Sequence, residues 1–228
     1  VSDYESNWRP GARAGYPFGA QVVVVKSVPS AVDVDLACTI EDGQGRPLGT
    51  MRSVNVSGWR QFAQSVGQGS AASWELDILG TDGARRLNIS RPRVRGWRDW
   101  RERFELRDSS GQYVGRLLQN NSYLAALKTF ALESGHAALG YTTFDYQRIG
   151  GAFGKTATRT VTIHDSTDRV AAQIKQRQQF RGSDFYDYML TFDYPPTESM
   201  GDLCLTVAVT EYFYRRSTRG GPLRWTSR

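Results

Sequence analysis

Two cysteines and two histidines in 228 residues leave little room for thiol or metal chemistry. Cys38 lies in a strand-like segment and Cys204 in an apolar one, so both read as small buried hydrophobes rather than as a disulfide or a metal pair. His136 and His164 have no partner at ligand spacing, which argues against zinc. No apolar run reaches the roughly 20 residues that a bilayer crossing needs, so no spanning helix is expected. The first residues, VSDYESNWRPGARAGYPFGAQ, have neither the basic start nor the apolar core of a secretion signal. The expectation is a soluble, cytoplasmic chain in a reducing setting.

Catalytic motifs are equally scarce. Residues 148–159, RIGGAFGKTATR, resemble a phosphate-binding loop but carry the compressed spacing G-x-x-x-G-K-T. The alternation that follows, TRTVTIHD, is that of a strand, and without a helix start the amide donors do not converge on a phosphate. The segment reads as a glycine-rich hairpin tip that carries Lys155. His164 and Asp165, adjacent on an alternating strand, point to opposite faces and form no relay there. No catalytic residue, cofactor or metal ligand is assigned, and a non-enzymatic role is expected.

What the chain has is positive charge, repetition and one apolar rod. The net charge is +6, and it is uneven. The stretch from Arg85 to Arg107, RRLNISRPRVRGWRDWRERFELR, is dense in arginine with tryptophans between. A basic surface with interleaved aromatics suits an anionic lipid surface, nucleic acid or an acidic protein, and equally a solvated linker whose arginines stack on the tryptophans. The residues assigned to an anionic partner are Arg91, Arg93, Arg95, Arg98, Arg101, Arg103 and Lys155, with Trp97 and Trp100 as aromatic contacts. In alternating segments only about half of these can share a face.

Three segments repeat one pattern: LACTIEDGQGRPLGTMR from Leu36, SWELDILGTDGARRLNISR from Ser73 and ERFELRDSSGQYVGRLLQN from Glu102. A fourth, RTVTIHDSTDRVAAQIKQR from Arg159, lacks the turn glycine. Each reads as strand, tight turn, strand, with Asp and Gly supplying side-chain acceptors and positive φ. Further strand candidates, AQVVVVKSV from Ala20, part of RVRGWRDW, HAALGYTTFD from His136, DFYDYMLTFDY from Asp184 and pieces near 57–62 and 123–132, bring the total to about ten to twelve. The last piece, SYLAALKTFALES, fits a short helix as well as a strand. So many strands cannot form one flat sheet, and closure is expected.

The apolar rod is GDLCLTVAVTEYFYRR, after the strand-ending pair Pro195-Pro196. Thr197 or Ser199 is placed to cap a helix of about 27 Å from 199 to 216. Apolar residues cover nearly its whole circumference, so it must be enclosed. A helix threaded through a strand barrel satisfies that requirement.

These features together, the D-x-x-G-x-x-x-G units of FELRDSSGQYVG and TIEDGQGRPLG and the terminal GDLCLTVAVTEYFYRR, resemble the phospholipid scramblase and LURP-one-related group of the Tubby C-terminal-like fold. The resemblance covers roughly 21–216. It implies a mainly β fold, a twelve-stranded antiparallel closed barrel around a hydrophobic C-terminal helix. It further implies phosphoinositide or membrane association, although the palmitoylated cysteines and the carboxylate-rich calcium segment of scramblases have no counterpart here. The expected organisation is an N-terminal extension over 1–20, one barrel domain over 21–216 and a basic tail over 217–228. The expected function is a binding or scaffold domain for an anionic lipid or phosphoinositide, peripheral at the membrane. Nucleic-acid binding through the arginine-rich segment and a regulatory protein-interaction subunit are the alternatives.

Overall fold

The structure, a computed structural model, describes residues 16–28, 37–54, 73–92, 101–122, 127–149, 156–178 and 186–218. After a single 3-10 turn at Pro17–Gly19, twelve strands follow in order. They are β1 (Val22–Ser27), β2 (Cys38–Asp42), β3 (Pro47–Ser53), β4 (Trp74–Gly80), β5 (Arg85–Arg91) and β6 (Arg103–Asp108). β7 (Tyr113–Gln119), β8 (Phe130–Ser134), β9 (Ala137–Ile149), β10 (Thr156–Asp165), β11 (Val170–Gln178) and β12 (Tyr186–Phe192) complete the wall. Each strand pairs with its sequence neighbours and β1 pairs with β12, which closes the barrel. Every pairing is antiparallel, and closure leaves no free edge. The ambiguous segment resolves as strand from Phe130 onward; the strand candidates at 57–62 and 93–100 and residues 123–126 lie outside the described residues.

The four repeats build four copies of one hairpin. In each, the carbonyl of the first turn residue accepts the N–H three residues on: Asp42 from Gly45, Gly80 from Gly83, Asp108 from Gly111 and Asp165 from Asp168. The fourth turn residue adopts positive φ, at Gly45, Gly83, Gly111 and Asp168. A bulge follows in the paired strands, at Ile40/Glu41, Ile78/Leu79, Leu106/Arg107 and Ile163/His164. That combination is the three-residue hairpin with a left-handed residue that forms a bulge. At Asp42, Asp108 and Asp165 one carboxylate oxygen also accepts the N–H groups two and four residues on. Glycine takes the first turn position in the second repeat, where Asp82 instead accepts from Ala84. The fourth repeat manages without glycine because Asp is among the few side chains that enter the left-handed region at modest cost.

The helix, α1 (Glu198–Thr218), fills the barrel. Thr197 caps it, its hydroxyl accepting from the Met200 N–H at 3.4 Å. Leu203, Cys204, Leu205, Val207, Ala208, Val209, Tyr212 and Phe213 are all buried, so no side of this stretch faces water. They meet the inward residues of the wall, among them Val23, Ile40, Ile78, Leu106, Leu117, Leu132, Ile163, Ile174 and Leu190. Phe213 stands edge-on to Trp74 at 4.9 Å and to Phe104 at 6.2 Å, joining the helix to β4 and β6. Each enclosed large apolar side chain contributes about 1.5–3 kcal/mol, so the helix is the principal source of cohesion. Its polar residues are satisfied locally: Thr206 and Thr210 donate back to the carbonyls of Asp202 and Thr206, and the Tyr212 hydroxyl donates to the Ala37 carbonyl at 2.7 Å.

One helix carboxyl is poorly placed for charge. Burial pushes the Asp202 carboxyl up to about 7, and the carboxylates of Glu198 and Asp108 add to the shift. A carboxyl raised in the fold contributes stability that is complete below its unfolded value near 3.8 and is lost as pH rises through about 7. The melting temperature is therefore expected to fall between pH 5 and pH 8. Asp202→Asn should flatten that profile and melt higher at pH 8, by up to about 4 kcal/mol of stability. Calorimetry across this pH range checks it, and a wild-type profile that rises instead contradicts it.

Candidate anion-binding pole

An up-and-down barrel has two ends, and this chain treats them differently. At one end lie the tight connections 43–46, 81–84, 109–112, 135–136 and 166–169, with the link 193–197 into the helix. At the other end the chain leaves Ser27, Ser53, Arg91, Gln119, Ile149 and Gln178 and returns after longer connections, and the C-terminal end of α1 points the same way. The connection between Arg91 and Arg103 thus joins the barrel at this second, loop end, whereas Arg85, Arg86 and Arg107 of the arginine-rich stretch lie toward the turn end.

The turn end is mixed with an acidic excess: Asp42, Asp82, Asp108, Asp165, Asp168, Asp193 and Glu198 lie at or beside its connections, against Arg46, Arg85, Arg86, Arg107 and Arg169. The amide of Arg46 holds the Asp42 carboxyl below its usual range, and the Ser110 hydroxyl and neighbouring amides do the same for Asp108. Asp165 is held well below that range by hydrogen bonds from the hydroxyls of Tyr194 and Thr167. Arg169 stacks over the Tyr194 ring at 4.1 Å and stays exposed.

Several cations of the outer wall are paired. Arg103 meets Glu105 at 2.8 Å, Arg116 meets Glu133 at 2.6 Å across β7 and β8, and Lys26 meets Glu41 at 3.4 Å across β1 and β2. Such pairs contribute little stability, but they cancel the field that the wall would otherwise project.

The loop end gathers cations on several strands. Lys26, Arg52, Arg101, Arg103, Lys128 and Arg177 all lie within or just before the strand ends there, Lys26 and Arg103 being the two that Glu41 and Glu105 engage. Arg52 and Arg101 are exposed, and Lys128 reaches the Gln119 side-chain carbonyl at 3.4 Å. Glu75 and Asp187 sit at the same end as opposing charges.

The sequence-assigned residues divide three ways. Arg101 and Arg103 stand at the loop end as the strand order requires. Arg91 does not face outward: it is 3% exposed and makes a bidentate pair with Glu102, Nε to Oε2 at 2.6 Å and Nη2 to Oε1 at 2.9 Å, above the Phe213 ring. That corrects its assignment as an anionic-partner contact, because its charge is neutralised inside the barrel. Its position in the strand carried the signal, since Arg91 shares the inward parity of Leu87 and Ile89. Arg93, Arg95, Trp97, Arg98, Trp100 and Lys155 lie outside the described residues.

A second inward arginine escaped the sequence reading. Arg159 on β10 pairs with Glu211 on α1 through two contacts of 2.9 Å, and it stacks over Phe144 at 5.6 Å. Burial raises the Glu211 carboxyl against the pull of Arg159. Arg159 also has a legible parity, that of Val161 and Ile163, whereas its partner was hidden inside an otherwise apolar helix. The two buried pairs lie at Glu211 and beside Phe213, in the C-terminal half of α1. No protein-family model, curated protein or solved structure matches the chain, and the architecture alone, twelve antiparallel strands closed around a C-terminal helix, is what gives it the Tubby C-terminal-like fold.

Proposed function

We propose that this protein is a non-enzymatic binding domain that engages an anionic lipid surface, with phosphoinositide as the favoured headgroup, through the loop end of its barrel. The observation that carries this reading is the distribution of charge: several wall cations are paired, acids outnumber arginines at the turn end, and beyond the paired Lys26 and Arg103 the loop end collects Arg52, Arg101, Lys128 and Arg177 from four strands or their approaches. The barrel interior is occupied by the protein's own helix, which favours surface recognition over enclosure of a small ligand. A cation near an anionic leaflet is worth about 1 kcal/mol, so several acting together give useful affinity without a deep pocket. The setting proposed is the cytoplasmic leaflet, where anionic lipids concentrate.

Co-sedimentation with vesicles of neutral lipid, with phosphatidylserine and with added phosphoinositide tests the reading. Binding is expected to the anionic vesicles only, stronger with phosphoinositide and reversed by salt. Arg52→Ala and Arg101→Ala should each weaken it about fivefold. Failure to bind anionic vesicles at low salt, together with retention of random nucleic acid in a gel shift, would transfer the loop end to nucleic-acid binding, with its steep salt dependence.

A further inference from the structure

We infer that the domain docks end-on, with the barrel axis and α1 standing upright on the anionic surface and the Asp-anchored turns pointing away from it. This rests on the membrane reading above and adds a geometry to it. Three surfaces compete for the contact. The wall offers Arg103, Arg116 and Lys26 already engaged by Glu105, Glu133 and Glu41, so a side-on approach would bring carboxylates to the lipid along with each of these cations. The turn end also carries arginines, but Arg46 and Arg86 are engaged by Asp42 and Asp82, and Asp108 and Asp165, held ionised by their turn amides and neighbouring hydroxyls, would come to the lipid beside them. At the loop end Arg52 and Arg101 are exposed, and Val28, an apolar side chain 40% exposed, stands there as well.

Distance makes the discrimination sharp. The 21-residue helix runs along the barrel axis and is about 31 Å long, while the field of a charged surface decays over about 8 Å at physiological salt. The far end therefore lies several decay lengths from the leaflet, and the near end alone decides the orientation. An axial separation of charge also turns the molecule before contact.

Single cysteines at four sites and three heights read the orientation: Gln44→Cys at the turn end, Met189→Cys on the wall, and Ser122→Cys and Val28→Cys at the loop end. The native Cys38 and Cys204 are buried, and burial pushes the Cys38 thiol up to about 12, so a thiol-directed fluorophore selects the introduced sites. The labelled proteins are mixed with phosphatidylserine vesicles, with and without phosphoinositide, whose lipids carry a nitroxide quencher. Quenching is expected to be strong at positions 28 and 122, weak at 189 and absent at 44. Bound protein with the strongest quenching at Met189→Cys, or with equal quenching at all four sites, overturns the upright geometry and leaves membrane binding intact. Absence of co-sedimentation by the unlabelled wild type overturns both.

Discussion

Replacing Glu102 by glutamine is expected to lower the unfolding free energy by about 3 kcal/mol, because it removes the carboxylate that pairs bidentately with the buried Arg91 guanidinium. Arg91 is almost fully enclosed and lies over Phe213, so water cannot take the place of the lost carboxylate. Glu102 is held from behind, its backbone N–H donating to the Gln119 side-chain oxygen, while the Gln119 amide donates to the Ser122 carbonyl. The network leaves the pair no freedom to open. Arg91→Met should cost a comparable amount, since it leaves the Glu102 carboxylate buried without its cation. The double variant Arg91→Met/Glu102→Leu should recover most of the loss, because apolar groups of similar volume remove both desolvation penalties at once. Urea unfolding of the four proteins measures the coupling. Single variants that lose less than about 1 kcal/mol would mean that the pair is solvated.

Gly115→Ala is the second large effect, about 3 kcal/mol of lost stability. A Cβ at this position would sit 2.4 Å from the Glu133 backbone carbonyl and 3.4 Å from the Leu203 side chain, between β8 and the helix. Neither neighbour can retreat: the carbonyl belongs to a strand of the closed wall, and Leu203 is packed in the core. The other glycine of the same motif is constrained differently. Gly111 has φ of 87° and nothing within 4 Å of the site a Cβ would take. Gly111→Asn should therefore cost less than about 1 kcal/mol, since asparagine tolerates this conformation and Asp168 already shows a side chain in the equivalent place. Thermal melts of the two variants separate backbone strain from steric collision. A loss at Gly115→Ala no larger than at Gly111→Asn would show that the wall relieves the collision.

Much of this fold was legible because the hairpins are local. Asp42, Asp108 and Asp165 begin their turns by bonding amides two and four residues away, so the motif is complete within one short stretch of chain. The apolar circumference of Leu203 to Phe213 likewise demanded enclosure whatever surrounded it. The site was less legible. Arg91 and Arg103 belong to one arginine-dense stretch, yet strand parity turns the first into the barrel and leaves the second half outside. Lys26, Arg52, Lys128 and Arg177 are scattered along the chain and carry no motif that would group them.

Composition and spacing by themselves determined the repeated hairpins, the closure that so many strands require and the helix that must fill the closed wall. These depend on neighbours a few residues apart or on apolar periodicity, both of which are written along the chain. Only the tertiary structure decided which arginines are cancelled and which end of the barrel collects the remaining charge. Glu211 meets Arg159 and Lys26 meets Glu41 through register and helix placement, and an electrostatic surface is the sum of such distant encounters.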